Sequence, residues 1–329
     1  MLSSPFKTFI IGLLVSCSSN EPKRAVPNTP LTDAAVNSET ASNTGTSTNT
    51  GTALIDGGPV QLGMPCNGRV EYCAKRYDEL CQAATHDSAA YNSEFWQAPA
   101  QSQSVRDQLN ASVRALMLSV YDDGGTVSVC RGDCAAGSTA LGVVLKTVKD
   151  FLDANPRDIV TLLIETALAA SRVEREFVGL GLDRLAQPQV ENAPWPTLQE
   201  MIDTGHRLVV FATVPDTSAS WVLPRDAWLW ETGKDFSSLS SMKCSPAVGD
   251  RTRPLYVVHH NLVEAADASN PEPSAELAAV ANAFAVVTQR LQTCESQTNR
   301  VPNFVAVDFA ALGDVVGGTQ VINGLRTFP

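Results

Sequence analysis

Basic charge is what this chain of 329 residues has least to spare: 24 Lys and Arg stand against 35 Asp and Glu, a net charge of −11. That balance excludes nucleic acid and anionic bilayers as partners recruited by bulk electrostatics, so an anionic ligand must be met by a local positive site. A membrane-spanning run is also missing at the N-terminus. The apolar stretch from Phe9 to Val15 is far too short to cross a bilayer as a mature helix and has the size of a signal-peptide core. Zinc spacing is absent as well, because Cys130 and Cys134 have neither a second cysteine pair nor a histidine pair at finger-like spacing. No metal ligand set is expected.

From Ser18 to about Gly58 the chain lacks the means to build a core, being rich in Ser, Thr, Asn, Pro and Gly. It reads as a flexible tether. The residues before it close with Leu14-Val15-Ser16-Cys17, which resembles a bacterial lipobox whose cysteine is lipidated and becomes the mature N-terminus. Residues 1–17 are thus expected to be a lipoprotein signal, 18–58 a tether and 59–329 one folded domain, exported and anchored to a membrane through lipid on Cys17. Several acyl chains on one cysteine anchor stably without a polybasic patch.

Beyond Gly58, hydrophobic residues suffice for a large core: they make up 44% of the chain against 18% charged. Strand-length apolar runs fall at Leu80–Ala84, Ala115–Tyr121, Thr126–Cys130, Ile159–Glu165, Leu208–Val214, Ala227–Trp230, Leu255–His259 and Phe304–Asp308. Helix-period segments lie between several of them, clearest at Leu141–Ala154, Val173–Leu185, Leu198–Thr204 and Glu276–Glu295. The alternation predicts an α/β fold with parallel pairing: an incomplete or distorted (β/α)₈ TIM barrel in a single domain, with a doubly wound sheet as the alternative. Polar residues gather near the C-terminal ends of the strands: His86, Asp87, Tyr121, Asp122, Arg131, Asp133, Glu165, Glu231, His259, His260 and Asp308. In a barrel these converge on the face that carries active sites.

Within that set, Thr85-His86-Asp87-Ser88 places an imidazole beside a carboxylate where a buried strand meets solvent, an arrangement able to hold and recharge a proton carrier near neutral pH. The 8 cysteines suit an exported protein. With Cys17 set aside, Cys66 and Cys73, Cys130 and Cys134, and Cys244 and Cys294 could pair, which leaves Cys81 as a buried thiol in the first strand.

Taken together, Cys66-Asn67-Gly68, Arg76-Tyr77-Asp78-Glu79, Thr85-His86-Asp87-Ser88, Val113-Arg114-Ala115-Leu116-Met117-Leu118 and Phe151-Leu152-Asp153-Ala154-Asn155-Pro156 resemble the phosphatidylinositol-specific phospholipase C-like phosphodiesterases. Glu231-Thr232, Phe236-Ser237-Ser238 and Pro302-Asn303-Phe304-Val305-Ala306-Val307-Asp308-Phe309 look like the secreted bacterial and fungal branch of that family. The resemblance runs from about Cys66 to the C-terminus and implies an incomplete TIM barrel acting on a phospholipid or related phosphodiester. It also implies chemistry in which a substrate hydroxyl attacks phosphorus while two acid–base groups and a cation serve the reaction. His86 matches the general base, Asp87 its neighbouring carboxylate and Asp308 a carboxylate that orients His86. Glu165 falls where calcium-using relatives keep an acidic ligand, and Tyr121, Asp133 and Glu231 complete the expected substrate-binding rim.

The departures are specific. Leu118-Ser119-Val120-Tyr121 stands where relatives carry a site carboxylate, and Cys130-Arg131-Gly132 puts an arginine where they carry the second histidine. Arg131 can clamp a phosphate but does not release a proton at physiological pH. Two readings follow: an active phosphodiesterase with His260 or Asp133 as substitute acid, or a catalytically impaired surface lipoprotein that binds a phosphorylated head group or partner. Calcium is disfavoured as a cofactor because Ser119 and Tyr121 replace the acidic ligands a hard cation requires.

Overall fold

The computed structural model describes residues 63–325 apart from Glu94, residues 215–216 and residues 265–270. The expected signal, the lipidated Cys17 and the tether lie outside the described residues. No helix among the described residues is long and apolar enough to cross a membrane.

The strands are β1 (Gln82–Thr85), β2 (Ala115–Asp123), β3 (Thr126–Cys130), β4 (Ser138–Ala140), β5 (Val160–Thr166), β6 (Leu208–Ala212), β7 (Val222–Pro224), β8 (Leu229–Thr232), β9 (Pro246–Val248), β10 (Leu255–His259) and β11 (Phe304–Val307). The helices are α1 (Val105–Asn110), α2 (Leu141–Ala154), α3 (Ala170–Leu180), α4 (Leu198–Thr204), α5 (Arg225–Trp228), α6 (Ala275–Ala281), α7 (Phe284–Thr298) and α8 (Val315–Ile322). One continuous parallel run follows the order β7-β6-β5-β2-β1-β11-β10-β8. No pairing joins β7 to β8 among the described residues, so the curled sheet stays open there, as an incomplete barrel requires. The β3–β4 hairpin extends antiparallel from β2, and β9 caps β8.

Side-chain alternation sets which residues reach the interior. In a strand, odd and even positions face opposite sides. In β5, Leu163 packs inside with Val209, Phe211, Val257, Phe304 and Ala306, whereas Val160, Leu162 and Ile164 pack outward against α2 and α3. In β10 and β11, Leu255, Val257, Phe304 and Ala306 point in, while Tyr256, Val258, Val305 and Val307 point out against α7 and α8. Both faces are apolar, as expected of strands buried between a barrel core and a helical shell. Carried one step past each strand's apolar run, the inward parity selects His86, Asp308, Glu231 and His259, and within β2 and β5 it selects Ser119, Tyr121 and Glu165.

Several expected boundaries differ. Thr126–Cys130 is a strand, but it belongs to an antiparallel hairpin. The wall instead gains the short β7, where Pro224 fits because it lies at the open edge. Ala227–Trp230 divides between the one-turn α5 and β8. The expected Glu276–Glu295 helix breaks between α6 and α7, because the buried Asn282 turns its amide to donate to the carbonyls of Asp308 (2.8 Å) and Phe309 (3.3 Å). Cys66–Cys73, Cys130–Cys134 and Cys244–Cys294 form disulfides, and Cys81 is a buried free thiol.

Candidate active site

The C-terminal ends of the parallel strands open into a cavity of about 660 Å³ whose lining includes His86, Asp87, Arg131, His259, Glu231 and Asp308. Register brings the two ends of the chain together at its floor. Thr85 pairs with Val307, and the His86 amide donates to the Val307 carbonyl at 3.0 Å, so His86 and Asp308 emerge side by side. His86 Nδ1 lies 2.9 Å from Asp308 Oδ1. Asn261 donates to the second Asp308 oxygen at 3.3 Å and to Asp235 at 2.8 Å, while Gln101 donates to the His86 carbonyl at 2.9 Å. The carboxylate and the backbone beneath the ring are both held.

His86 Nε2 lies 2.8 Å from His259 Nδ1, and the two rings are nearly parallel at 12°. His259 Nε2 lies 2.8 Å from Glu231 Oε2. Arg225 closes the chain, donating from Nε and Nη2 to the two Glu231 oxygens at 2.7 and 2.8 Å. Burial alone would raise Glu231, but the His259 hydrogen bond and the Arg225 charge prevail and bring its pKa down to about 2. Burial lowers His259 below the usual imidazole range against the pull of Glu231, and the neighbouring His86 adds to the lowering.

Counting protons fixes the state of this chain. Two carboxylates accept at its ends, so each ring must carry an N–H on its outer nitrogen, and the bond between the rings needs one N–H more. That makes three N–H groups on two imidazoles, hence one shared positive charge. The unit is an imidazolium and an imidazole, each backed by a carboxylate.

Asp87 occupies the left-handed region at φ 39°, a conformation that Asp adopts more readily than most residues. Its carboxylate accepts from Ser119 at 3.3 Å and faces Arg131 Nε at 3.5 Å. Burial raises Asp87 above the usual carboxylate range against the pull of His86 and Arg131. Arg131 also donates to the Pro271 carbonyl at 2.7 Å, which fixes its guanidinium at the rim. Lys234 is a further cation on the lining, and Tyr121 and Glu165 belong to the wall, with Glu165 3.6 Å from Arg225.

Two of the expected site residues are elsewhere. Asp133 caps the short turn Cys134–Ala136 by accepting from the Ala135 amide at 2.9 Å, and it does not line the cavity. His260 has the outward parity of Val258, is fully buried, and donates from Nε2 to the Ala281 carbonyl at 2.8 Å. The substitute-acid role considered for both residues is therefore corrected on position. The residue missed was His259, and the strand-end pair His259-His260 was the signal that could have found it.

The PI-PLC X family model, "PI-PLC X 1", matches residues 72–323 of this chain. The chain belongs to the PI-PLC X family. It is 31% identical to a PI-PLC X domain-containing protein of Arthroderma benhamiae over 81% of this chain and 92% of that protein. A second Arthroderma benhamiae protein, an uncharacterized secreted protein, is 30% identical over 77% of this chain and 62% of its own length. In fold, the chain is similar to phosphatidylinositol-specific phospholipase C from Staphylococcus aureus, with a TM-score of 0.56 at 15% identity over 78% of this chain and 95% of that one.

Proposed function

We propose that this protein cleaves a phosphodiester of the phospholipid type by attack of a substrate hydroxyl on phosphorus, with His86 as general base and His259 as general acid. The single observation behind this reading is the His86–His259 pair with a carboxylate behind each ring. A pair sharing one extra proton already holds one group able to accept a proton and one able to give it, which is what the reaction needs. The substrate takes the place of the hydrogen bond between the rings. His86, with Nδ1–H on Asp308, accepts the attacking hydroxyl's proton at Nε2 as the new O–P bond forms. His259, with Nε2–H on Glu231, gives its Nδ1 proton to the leaving oxygen as the old P–O bond breaks. The pair ends with the charge it began with.

Arg131 and Lys234 supply positive charge for the phosphate oxygens. Asp87 and Ser119 position Arg131, and Arg225 with Glu231 positions His259. Glu165, Tyr121 and Asp226, which also line the cavity, are left to contact the head group. Every step runs through protein side chains, because Glu165 and Asp87 already face arginines and Ser119 and Tyr121 offer no carboxylate to a hard cation.

Lipid on Cys17 would hold the domain at a membrane next to such a substrate, and loss of labelled acyl chains in Cys17→Ala tests this part of the proposal. The alternative, a protein that binds the phosphorylated head group without turnover, draws on Arg131 at the family's histidine position. Incubating the purified protein with phosphatidylinositol, glycerophosphodiesters and chromogenic phosphodiesters separates the two. The enzyme reading expects product that disappears in His86→Ala, and saturable head-group binding without product contradicts it.

A further inference from the structure

A second cavity, of about 510 Å³, has a lining distinct from that of the strand-end mouth and is lined in part by Lys243, His260 and Arg290. Its wall includes one face of α7, with Val286, Gln289, Arg290, Thr293 and Gln297 recurring at helical spacing, and the segment over Leu239–Ser245 that the Cys244–Cys294 disulfide ties to that helix. No Asp or Glu belongs to the lining. The volume lies within the ordinary range for small-molecule sites.

Arg290 is the anomaly. Its side chain is only 9% exposed, Nη2 donates to the Lys243 carbonyl at 2.8 Å, and the guanidinium lies 5.3 Å from the centre of the Phe236 ring. Nε is buried with no hydrogen-bond partner, and no carboxylate lies within ion-pair distance among the described residues. The comparably buried Arg114 also has an unpartnered Nε, yet it meets Asp158 at 3.1 Å and two backbone carbonyls, so the missing counter-charge is what sets Arg290 apart. Burying a cation without a counter-charge is costly, and buried charges are ordinarily paired. His260 adds a second unsatisfied atom. Its Nε2 donates to Ala281 while its buried Nδ1 has no partner.

We infer that this cavity is a binding site for a small organic oxyanion, its charged head held by Arg290 and Lys243 and its apolar body set against Leu239, Met242 and Val286. The counter-charge that the protein leaves out is supplied by the ligand. Phosphate and carboxylate heads share this chemistry, and the mixed lining rules out a head group without a body as the best fit. The site shares no lining residue with the phosphodiester cavity.

Calorimetric titration of the full chain with phenyl phosphate, benzoate and neutral benzyl alcohol tests the inference. The expected result is saturable binding of at least one of the two anions and none of the alcohol. That binding persists in His86→Ala and weakens tenfold or more in Arg290→Met, with phosphodiester turnover unchanged by the latter. The choice between phenyl phosphate and benzoate identifies the head group. Lys243 is exposed, so Lys243→Met should fold normally and weaken the same binding at least threefold. The inference is overturned if neither anion binds, if benzyl alcohol binds equally well, if all anion binding is lost in His86→Ala, or if Lys243→Met and a folded Arg290→Met bind as the unaltered chain does.

Discussion

His86 Nε2 and His259 Nδ1 face each other at 2.8 Å, and Asp308 and Glu231 stand behind their outer nitrogens at 2.9 and 2.8 Å. This near-symmetry makes a single proton the shared property of two rings. It also brings together the ends of three neighbouring parallel strands, with His86 after β1, Asp308 after β11 and His259 closing β10.

Loss of either ring should therefore be severe. His86→Ala is expected to lower kcat for a phospholipid phosphodiester by a factor of about 10² to 10⁴, the usual contribution of one acid–base group. Asp308→Asn keeps a hydrogen-bonding oxygen behind Nδ1 but removes the carboxylate charge, so its loss should be smaller. Steady-state kinetics across pH, with circular dichroism to verify folding, check both.

Glu231 should make the domain acid-sensitive in a defined window. Its folded pKa of about 2 lies below the value of 4.5 expected in an unfolded chain, so its contribution is fully present above 4.5 and is lost as pH falls through 2. The difference corresponds to about 3 kcal/mol. Glu231→Gln should flatten the pH dependence of urea unfolding across that window. At neutral pH it should destabilise by about 3–5 kcal/mol, because Arg225 is left buried without its close partner.

Arg131 offers a test against family expectation. If it were merely a lost acid, Arg131→His would restore activity. On the proposal that His259 fills that role, Arg131→His should leave kcat no higher, and Arg131→Met should raise KM by a factor of about 10 to 10² through loss of a charge-assisted contact worth roughly 1.5–3 kcal/mol. A rise in kcat for Arg131→His would assign the acid to position 131 instead.

How much of this the sequence revealed depended on parity. The strand ends and the mouth were legible because a polar residue ending an apolar run can be located without knowing which way it faces, whereas the pairing of His86 with Asp308 was implied only by the family resemblance. Choosing between His259 and His260 required facing. A barrel strand buried on both sides is apolar at every position, so Tyr256-Val257-Val258 carries no alternation to transmit, and a one-residue difference exchanges interior for exterior. Arg225 was hidden for another reason. It lies in a one-turn helix between β7 and β8, too short to show a period. The break at Asn282 was invisible because its cause, the carbonyls of Asp308 and Phe309, is remote in sequence.

The most direct measurement compares two leaving groups. With an alkyl phosphodiester the departing oxygen needs a proton, whereas with a nitrophenyl phosphodiester it departs without one. The account predicts that His259→Gln loses activity by about 10² or more on the alkyl substrate and regains most of it on the nitrophenyl substrate, while His86→Ala stays impaired on both. Equal losses for His259→Gln on the two substrates, or undiminished activity on the alkyl one, would contradict the assignment of His259 as the acid partner of His86.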